Sequence, residues 1–365
     1  MSEQVTVKVP GKLMVAGEYA VLEPNQQLVV MAIDKFVYAT VKRQKEGKLH
    51  LVDFSLENID WKYNDGEIFV NSKDSRLTYV KNALKVTLQY LEEKGIDFSE
   101  FSLKIHSELD DASGLKYGLG SSAAVVTSVV SAVLETFKHS PSKDVVFKLA
   151  AIAHIQTQGN GSGADIAAST YGGMVKFTSF QAEWLLEILQ KEKRLAKVVS
   201  QKWTYLTIKA IELPSQINVF VGWTGKPAST VDLVNKVRQL KTDKPKLYSD
   251  FLSQSKRAVD MIIKGMQTNK SEIFYDGIRE NRLALATLGQ AADVPIETEK
   301  LFLLSQEAEH FGGAGKLSGA GGGDCGLAFV PADTDVEQLY RAWELNGIVP
   351  LRISVCPDGV HLNHV

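Results

Sequence analysis

Lys116-Tyr117-Gly118-Leu119-Gly120-Ser121-Ser122-Ala123-Ala124 follows a stretch in which Phe101, Leu103, Ile105 and Leu109 keep strand parity. It opens a run rich in Ala, Val and Ser, from Gly118 to Phe137, that reads as a long buried helix. A loop from Asp110 to Tyr117 and a glycine-marked junction from strand to helix are therefore predicted near residue 118. The first amides of a helix have no intrahelical partner and carry partial positive charge. Glycines that let phosphate oxygens come close make such a junction an anion cradle. Ser121 and Ser122 have two readings, as caps of the helix or as ligands of Mg2+. Gly118, Gly120 and Ala123 also satisfy the dinucleotide spacing G-x-G-x-x-G/A, but no acidic residue follows about 20 positions on at the end of a second strand. Glu135 lies within the helix, which argues against a nicotinamide enzyme.

Upstream of this junction, Val5–Val9, Leu13–Val21, Leu28–Ile33 and Phe36–Lys42 read as strands between Gly and Pro punctuation. Ser75 is the expected cap of a helix carrying Leu77, Val80, Leu84, Leu88 and Leu91 on one face, ended by Gly95. Downstream, Ser142 and Asp144 open a helix with Val145, Leu149, Ile152 and Ala153, and Gln158–Gly163 terminates it, with Asp165 on the next segment. Met174–Phe177 reads as a strand. Gln181–Ser200 is a charged helical stretch whose interleaved Glu183, Glu187 and Glu192 mark a solvated face rather than a nucleic-acid surface.

The second half offers a strand at Ile217–Val221, four helical stretches over 228–310 and a glycine run at Gly312–Gly323. Strand Cys325–Val330, helix Val336–Asn346 and strand Pro350–Val355 close the chain. The mixture lacks the regular alternation of one doubly wound sheet, so two α+β domains are expected, 1–180 and 181–365.

Composition agrees with that division. A chain of 365 residues, 44% hydrophobic and 23% charged, has the length for two cores and the balance of a folded, soluble protein. With 41 Lys plus Arg against 43 Asp plus Glu, no global field recruits nucleic acid or an anionic membrane, and a small-molecule partner is expected. Cys325 and Cys356 stand outside any zinc spacing and read as free thiols. Neither a signal peptide nor a membrane span is legible, the apolar stretch Ala123–Leu134 being too short, so a cytoplasmic location is expected.

Two further glycine segments suit polyphosphate. In Pro10-Gly11-Lys12-Leu13-Met14-Val15-Ala16-Gly17-Glu18-Tyr19-Ala20-Val21-Leu22, Lys12 reaches out from the mouth of a strand and Gly17 admits a neighbouring backbone. In Lys316-Leu317-Ser318-Gly319-Ala320-Gly321-Gly322-Gly323-Asp324, Gly315-Lys316 superficially resembles a Walker A loop, but His310 stands where glycine is required and Leu317 replaces Ser/Thr. A loop this poor in side chains suits backbone contact with phosphates, and also a mobile linker.

In this order and spacing the three segments resemble the motifs of the GHMP small-molecule kinases, a family that includes galactokinase, homoserine kinase, mevalonate kinase and phosphomevalonate kinase. The resemblance runs across nearly the whole chain. It implies a two-domain α+β architecture with the active site in the cleft between the domains, and ATP and Mg2+ as cofactors.

Tyr19 in motif one, Lys116-Tyr117 before motif two, Gln158–Asp165 and Gly222-Trp223-Thr224-Gly225-Lys226-Pro227-Ala228-Ser229-Thr230 look most like the phosphomevalonate branch. That branch implies 5-phosphomevalonate as the small-molecule substrate. Mevalonate kinase and a non-catalytic GHMP-fold binder are the alternatives, with diphosphomevalonate decarboxylase more distant.

The resemblance also assigns roles. Lys12 and Asp165 would be catalytic and paired. Lys116, Gly118, Leu119, Gly120, Ser121, Ser122 and Ala123 would hold ATP, with Ser122 on the metal. Glu18, Tyr19, Ser162, Gly163, Ser318, Gly319, Ala320 and Gly321 would surround the acceptor, and Lys226, Ser229 and Thr230 its phosphate. One departure stands out: many relatives place a metal-binding glutamate 11 residues before the aspartate, where this chain has His154. Mg2+ prefers oxygen, so His154 reads as a helix residue rather than a ligand.

Overall fold

The computed structural model describes residues 4–110, 117–137, 140–227 and 230–362, with 230–232 as backbone alone. The chain opens on two long antiparallel strands, β1 (Gln4–Ala16) and β2 (Gln27–Arg43), paired from Gln4 opposite Lys42 to Ala16 opposite Val29. The four expected strands are thus two. Pro10-Gly11 does not end a strand but lies where the register shifts, the extra residues being Asp34 and Lys35 of β2. The strand expected to reach Val21 stops at Ala16. Gly17 adopts φ +95°, and a Cβ there would lie 2.4 Å from the Gln27 carbonyl oxygen, so the chain turns back through a short 3-10 turn at Ala20–Leu22.

A meander of β3 (Lys48–Leu51), β4 (Leu56–Asn64) and β5 (Glu67–Val70) follows. Its polar pattern conceals it: in β4 Trp61 alone is fully buried, between exposed Asp60 and Lys62. The Asp74 carboxylate, rather than Ser75, caps the next turn by accepting from the Arg76 N–H at 2.9 Å, an interaction typically worth about 1 kcal/mol. That turn runs into α1 (Thr78–Glu93), followed by β6 (Phe101–Ser107), α2 (Ser121–Thr136), α3 (Lys143–Gln158), α4 (Ala164–Tyr171) and β7 (Met174–Thr178).

The charged stretch after residue 180 forms two helices, α5 (Ala182–Lys191) and α6 (Leu195–Ser200), and leads into β8 (Thr207–Ile211). It stays with the first sheet, because β8 pairs with β7 and Trp203 packs into Phe180 and Phe147 at centroid distances of 4.9 and 6.3 Å.

The second half contains β9 (Ile217–Trp223), α7 (Thr230–Asp243), α8 (Pro245–Thr268), α9 (Ser271–Ala292), α10 (Glu299–His310) and β10 (Ala314–Leu317). It ends with β11 (Cys325–Pro331), α11 (Val336–Leu345), β12 (Val349–Leu351) and β13 (His361–Leu362). Part of the expected glycine loop is therefore a strand. All four residues of β10 are buried, and a Cβ at Gly315 would meet the Ser305 Cα of α10 at 2.6 Å, so glycine serves close packing there.

Two sheets result. The first runs β13-β1-β2-β6-β3-β4-β5, antiparallel except for β3 beside β6, with β7 on the first half of β2 and β8 beyond it. The second runs β10-β11-β9-β12, all antiparallel. Helix α2 lies against β1 and β2 and under α1, α3 and α4, and is apolar on nearly every side, as a central helix must be.

Cys325 and Cys356 are buried free thiols, and burial pushes both upward from the ordinary thiol range. Among the described residues no helix is long and apolar enough to cross a membrane.

Candidate active site

The three glycine segments meet because their glycines let the backbones touch. A Cβ at Gly11 would lie 2.8 Å from the Leu119 carbonyl oxygen, the acceptor of the Lys12 N–H at 2.8 Å. Gly118 and Gly120 both take left-handed backbone. A Cβ at Gly118 would meet Asp324 Oδ2 at 2.6 Å, and one at Gly120 would meet Lys12 Cγ at 2.8 Å. Gly120 caps α2 and brings no side-chain acceptor, so among the described residues the first amides of that helix are open to a ligand. Serine capping is thereby set aside.

The turn after β1 is tied to the third segment. Met14 N–H donates to Ser318 Oγ at 2.8 Å, and the Tyr19 hydroxyl donates to the Ala320 carbonyl at 2.5 Å. Asp165 enters from α4, whose N-cap is Gly163 in left-handed backbone; a Cβ there would lie 2.8 Å from Phe180 Cε1.

These elements enclose one cavity of about 350 Å³. Of the expected site residues, Lys12, Glu18, Tyr19, Gly118, Leu119, Gly120, Ser121, Ser122, Ser162, Gly163, Asp165, Ser318, Gly319 and Ala320 line it. Ala123 does not, being fully buried on the inner face of α2, and Gly321 instead backs onto the Ile296 carbonyl. Lys226 is exposed off the cavity, and its contribution is its carbonyl, which accepts from the Asp324 N–H at 2.8 Å. Lys116 and Ser229 lie outside the described residues, and Thr230 enters the description only as the first backbone position of α7.

Lys12 and Asp165 share the cavity without forming the ion pair that the resemblance implies. The Lys12 ammonium donates to the Gly118 carbonyl at 3.2 Å, because the Lys12 backbone is itself held beside Leu119.

His154 is buried, its Nε2 lies 3.2 Å from Ser122 Oγ, and its ring packs on Tyr79 with centroids 5.3 Å apart. Burial holds its imidazole below the ordinary value, with the Asp165 charge opposing, so a neutral ring orients the Ser122 hydroxyl. Tyr79 is pushed upward, first by burial, with the Ser122 hydrogen bond opposing.

Among the described residues no three His, Cys, Asp or Glu side chains cluster as a metal site. Ser122 and Asp165 are oxygen donors of the kind Mg2+ takes when most of its shell comes from phosphate and water, so they fit that ion and His154 does not.

Sequence reasoning missed Arg238, which lines the cavity from α7 one turn after Val234. It also missed Asp324, at the end of the third glycine run, and Lys316, beneath Glu18. The i,i+4 spacing of Val234 and Arg238 was the available signal for the first, but it gains meaning only once α7 is docked over the cleft.

Comparison with known proteins locates the same architecture. The family model described as GHMP kinases N terminal domain matches residues 78–173, and that described as GHMP kinases C terminal matches 262–348. A phosphomevalonate kinase of Streptomyces sp. is 31% identical over 96% of this chain and 97% of its own. A solved structure of a Lin0012 protein from Listeria innocua is 36% identical, with a TM-score of 0.92 over 100% of both chains. Streptococcus pneumoniae phosphomevalonate kinase in complex with phosphomevalonate and AMPPNP is 26% identical, with a TM-score of 0.84 over 96% of this chain and 99% of that one.

Proposed function

The chain belongs to the GHMP kinases and is an ATP-dependent kinase of a mevalonate-pathway type, and within that family we propose that it is a phosphomevalonate kinase. It would transfer the γ-phosphoryl group of ATP to the phosphate of (R)-5-phosphomevalonate, giving (R)-5-diphosphomevalonate and ADP. The observation that carries this reading is a second cation at the cavity among the described residues: Arg238 joins Lys12 there from a different element. An acceptor that already bears a phosphate calls for such a partner, and an arginine fork suits phosphate geometry. The relative crystallised with phosphomevalonate supports the same choice.

The chemistry follows from charge. The uncapped amides of α2 would receive the ATP phosphates, with Ser121 and Ser122 beside them. Magnesium, held by Ser122, Asp165 and phosphate oxygens, would supply neutralisation of the polyphosphate. The acceptor phosphate, with a second pKa of about 6, is already mostly dianionic at neutral pH and needs no strong base. What limits reaction is repulsion between two anions, so Lys12 is assigned the bridging position and Asp165 the part of orienting it.

The test is ADP release with Mg-ATP, comparing 5-phosphomevalonate with mevalonate at equal concentration. Turnover confined to the phosphorylated acceptor is expected. Turnover confined to mevalonate would make the chain a mevalonate kinase, and silence with both despite ATP binding would leave a binder. Arg238→Ala is expected to raise the KM for 5-phosphomevalonate by about tenfold or more, as loss of a charged hydrogen bond does, and to leave the KM for ATP within about twofold. Equal increases in both would remove Arg238 from the acceptor side.

A further inference from the structure

Lys316, the lysine of the Walker-like pair, has no solvent exposure at all. A buried ammonium is costly unless paired, and this one has two partners: Glu18 Oε1, and the carbonyl of Leu317. Burial draws its pKa down and the Glu18 carboxylate opposes that shift. The pair joins residues 298 apart in sequence, tying the turn after β1 to β10.

Glu18 itself is held in an expensive way. Ala20 N–H donates to the Glu18 carbonyl at 2.6 Å across Tyr19, whose φ of 60° and ψ of −50° make this the strained, positive-φ form of γ-turn. Such strain persists only where the surroundings impose it, and here the Tyr19 hydroxyl is fastened to Ala320 while Glu18 is fastened to Lys316. Glu18 lines the cavity, yet among the described residues its buried Oε2 has no hydrogen-bond partner. A buried carboxylate oxygen without a donor is destabilising, and at the cavity wall a ligand's hydroxyl group can relieve that.

We propose that Lys316 is a positioning residue of the acceptor site: it holds one oxygen of Glu18 so that the other accepts a hydrogen bond from a hydroxyl group of the acceptor. Lys316 also neutralises Glu18, so that a carboxylate can recognise a hydroxyl in a cavity built for polyanions without repelling them. The inference rests on the kinase reading above and adds a residue that never touches substrate.

The test uses Lys316→Met, Glu18→Gln and the double variant, with KM for each substrate, direct binding of the non-hydrolysable ATP analogue AMPPNP, and Tm. Lys316→Met should raise the acceptor KM by about twentyfold or more, lower Tm, and leave AMPPNP affinity within about twofold. Glu18→Gln, which keeps an oxygen for Lys316, should stay folded and show the same acceptor defect. The double variant, which removes both charges, should recover Tm without recovering acceptor KM. That split is what a merely structural pair would not produce.

Recovery of acceptor KM in the double variant, or an acceptor KM within twofold of wild type in Glu18→Gln, would overturn the proposal. If Lys316→Met does not fold, the other two variants decide. The ratios are read with whichever acceptor the wild-type enzyme turns over, so a wrong substrate assignment leaves this test standing. A wild-type protein silent with both acceptors overturns both readings.

Discussion

Lys12→Ala is expected to lower kcat by on the order of 10³-fold, and Asp165→Ala by less, with nucleotide affinity changing far less than kcat in both. The order follows from the acceptor. A hydroxyl nucleophile must lose its proton as the new P–O bond forms and would depend on the carboxylate base, whereas a phosphate dianion arrives deprotonated and depends on a cation. Lys12 is well placed to be that cation. It is buried in the cavity wall, its backbone is fastened to Leu119 and its ammonium rests on the Gly118 carbonyl, beside the open amides of α2. Asp165 stands on a separate helix without an ion pair to it, and a magnesium ion that lost Asp165 would keep Ser122 and the phosphate oxygens, so its removal costs less than loss of the bridging cation. Steady-state kinetics of both variants check this. A larger loss at Asp165 would refute the division of labour and point to an alcohol acceptor.

The second large effect is expected at Gly120. Alanine there meets two penalties of different kinds: left-handed backbone at φ +82°, and a Cβ that would lie 2.8 Å from Lys12 Cγ and 3.0 Å from Lys12 Cε. The backbone penalty is on the order of 1–2 kcal/mol and lowers Tm by a few degrees. The contact pushes Lys12 off its seat, and kcat should fall by about 100-fold, since small misplacements of catalytic groups cost that much. Gly95→Ala is the control. Gly95 is also left-handed, at φ +67°, but nothing lies within 4 Å of its Cβ position, so that variant should lose similar stability and keep its kcat. Equal kcat in the two variants would show that the contact with Lys12 is catalytically idle.

The residues that the sequence brought forward as chemistry are mostly those that speak through local backbone demands. The strand-to-helix junction, the Gly159 cap that ends α3, the Ser142 cap that accepts from Val145 N–H, and the glycines bracketing Asp165 are all written within a few positions of where they act. Such signals survive without tertiary context because a missing Cβ or a capping hydroxyl has its physical consequence next door. The order of three glycine segments then resembles one family, and the cavity does contain residues from all three.

What escaped was decided at long range. β1 and β2 run unbroken because each supports the other through a bulge, and no local pattern announces that Pro10-Gly11 bends a strand rather than ending it. β3 to β5 hide because a half-solvated meander carries polar residues, and β10 hides in a glycine run because α10 leaves no room for a side chain at Gly315. Lys226 and Arg238 show the limit most plainly, since both are exposed cations in the same half of the chain and only the docking of α7 determines which faces the cleft. By itself, then, the sequence determined the family's three phosphate-suited loops and their backbone geometry, for which adjacent residues suffice. The tertiary structure alone decided the Glu18–Lys316 pair, the place of Arg238 and the bond of His154 to Ser122, because side chains distant in sequence meet only where packing brings their elements together.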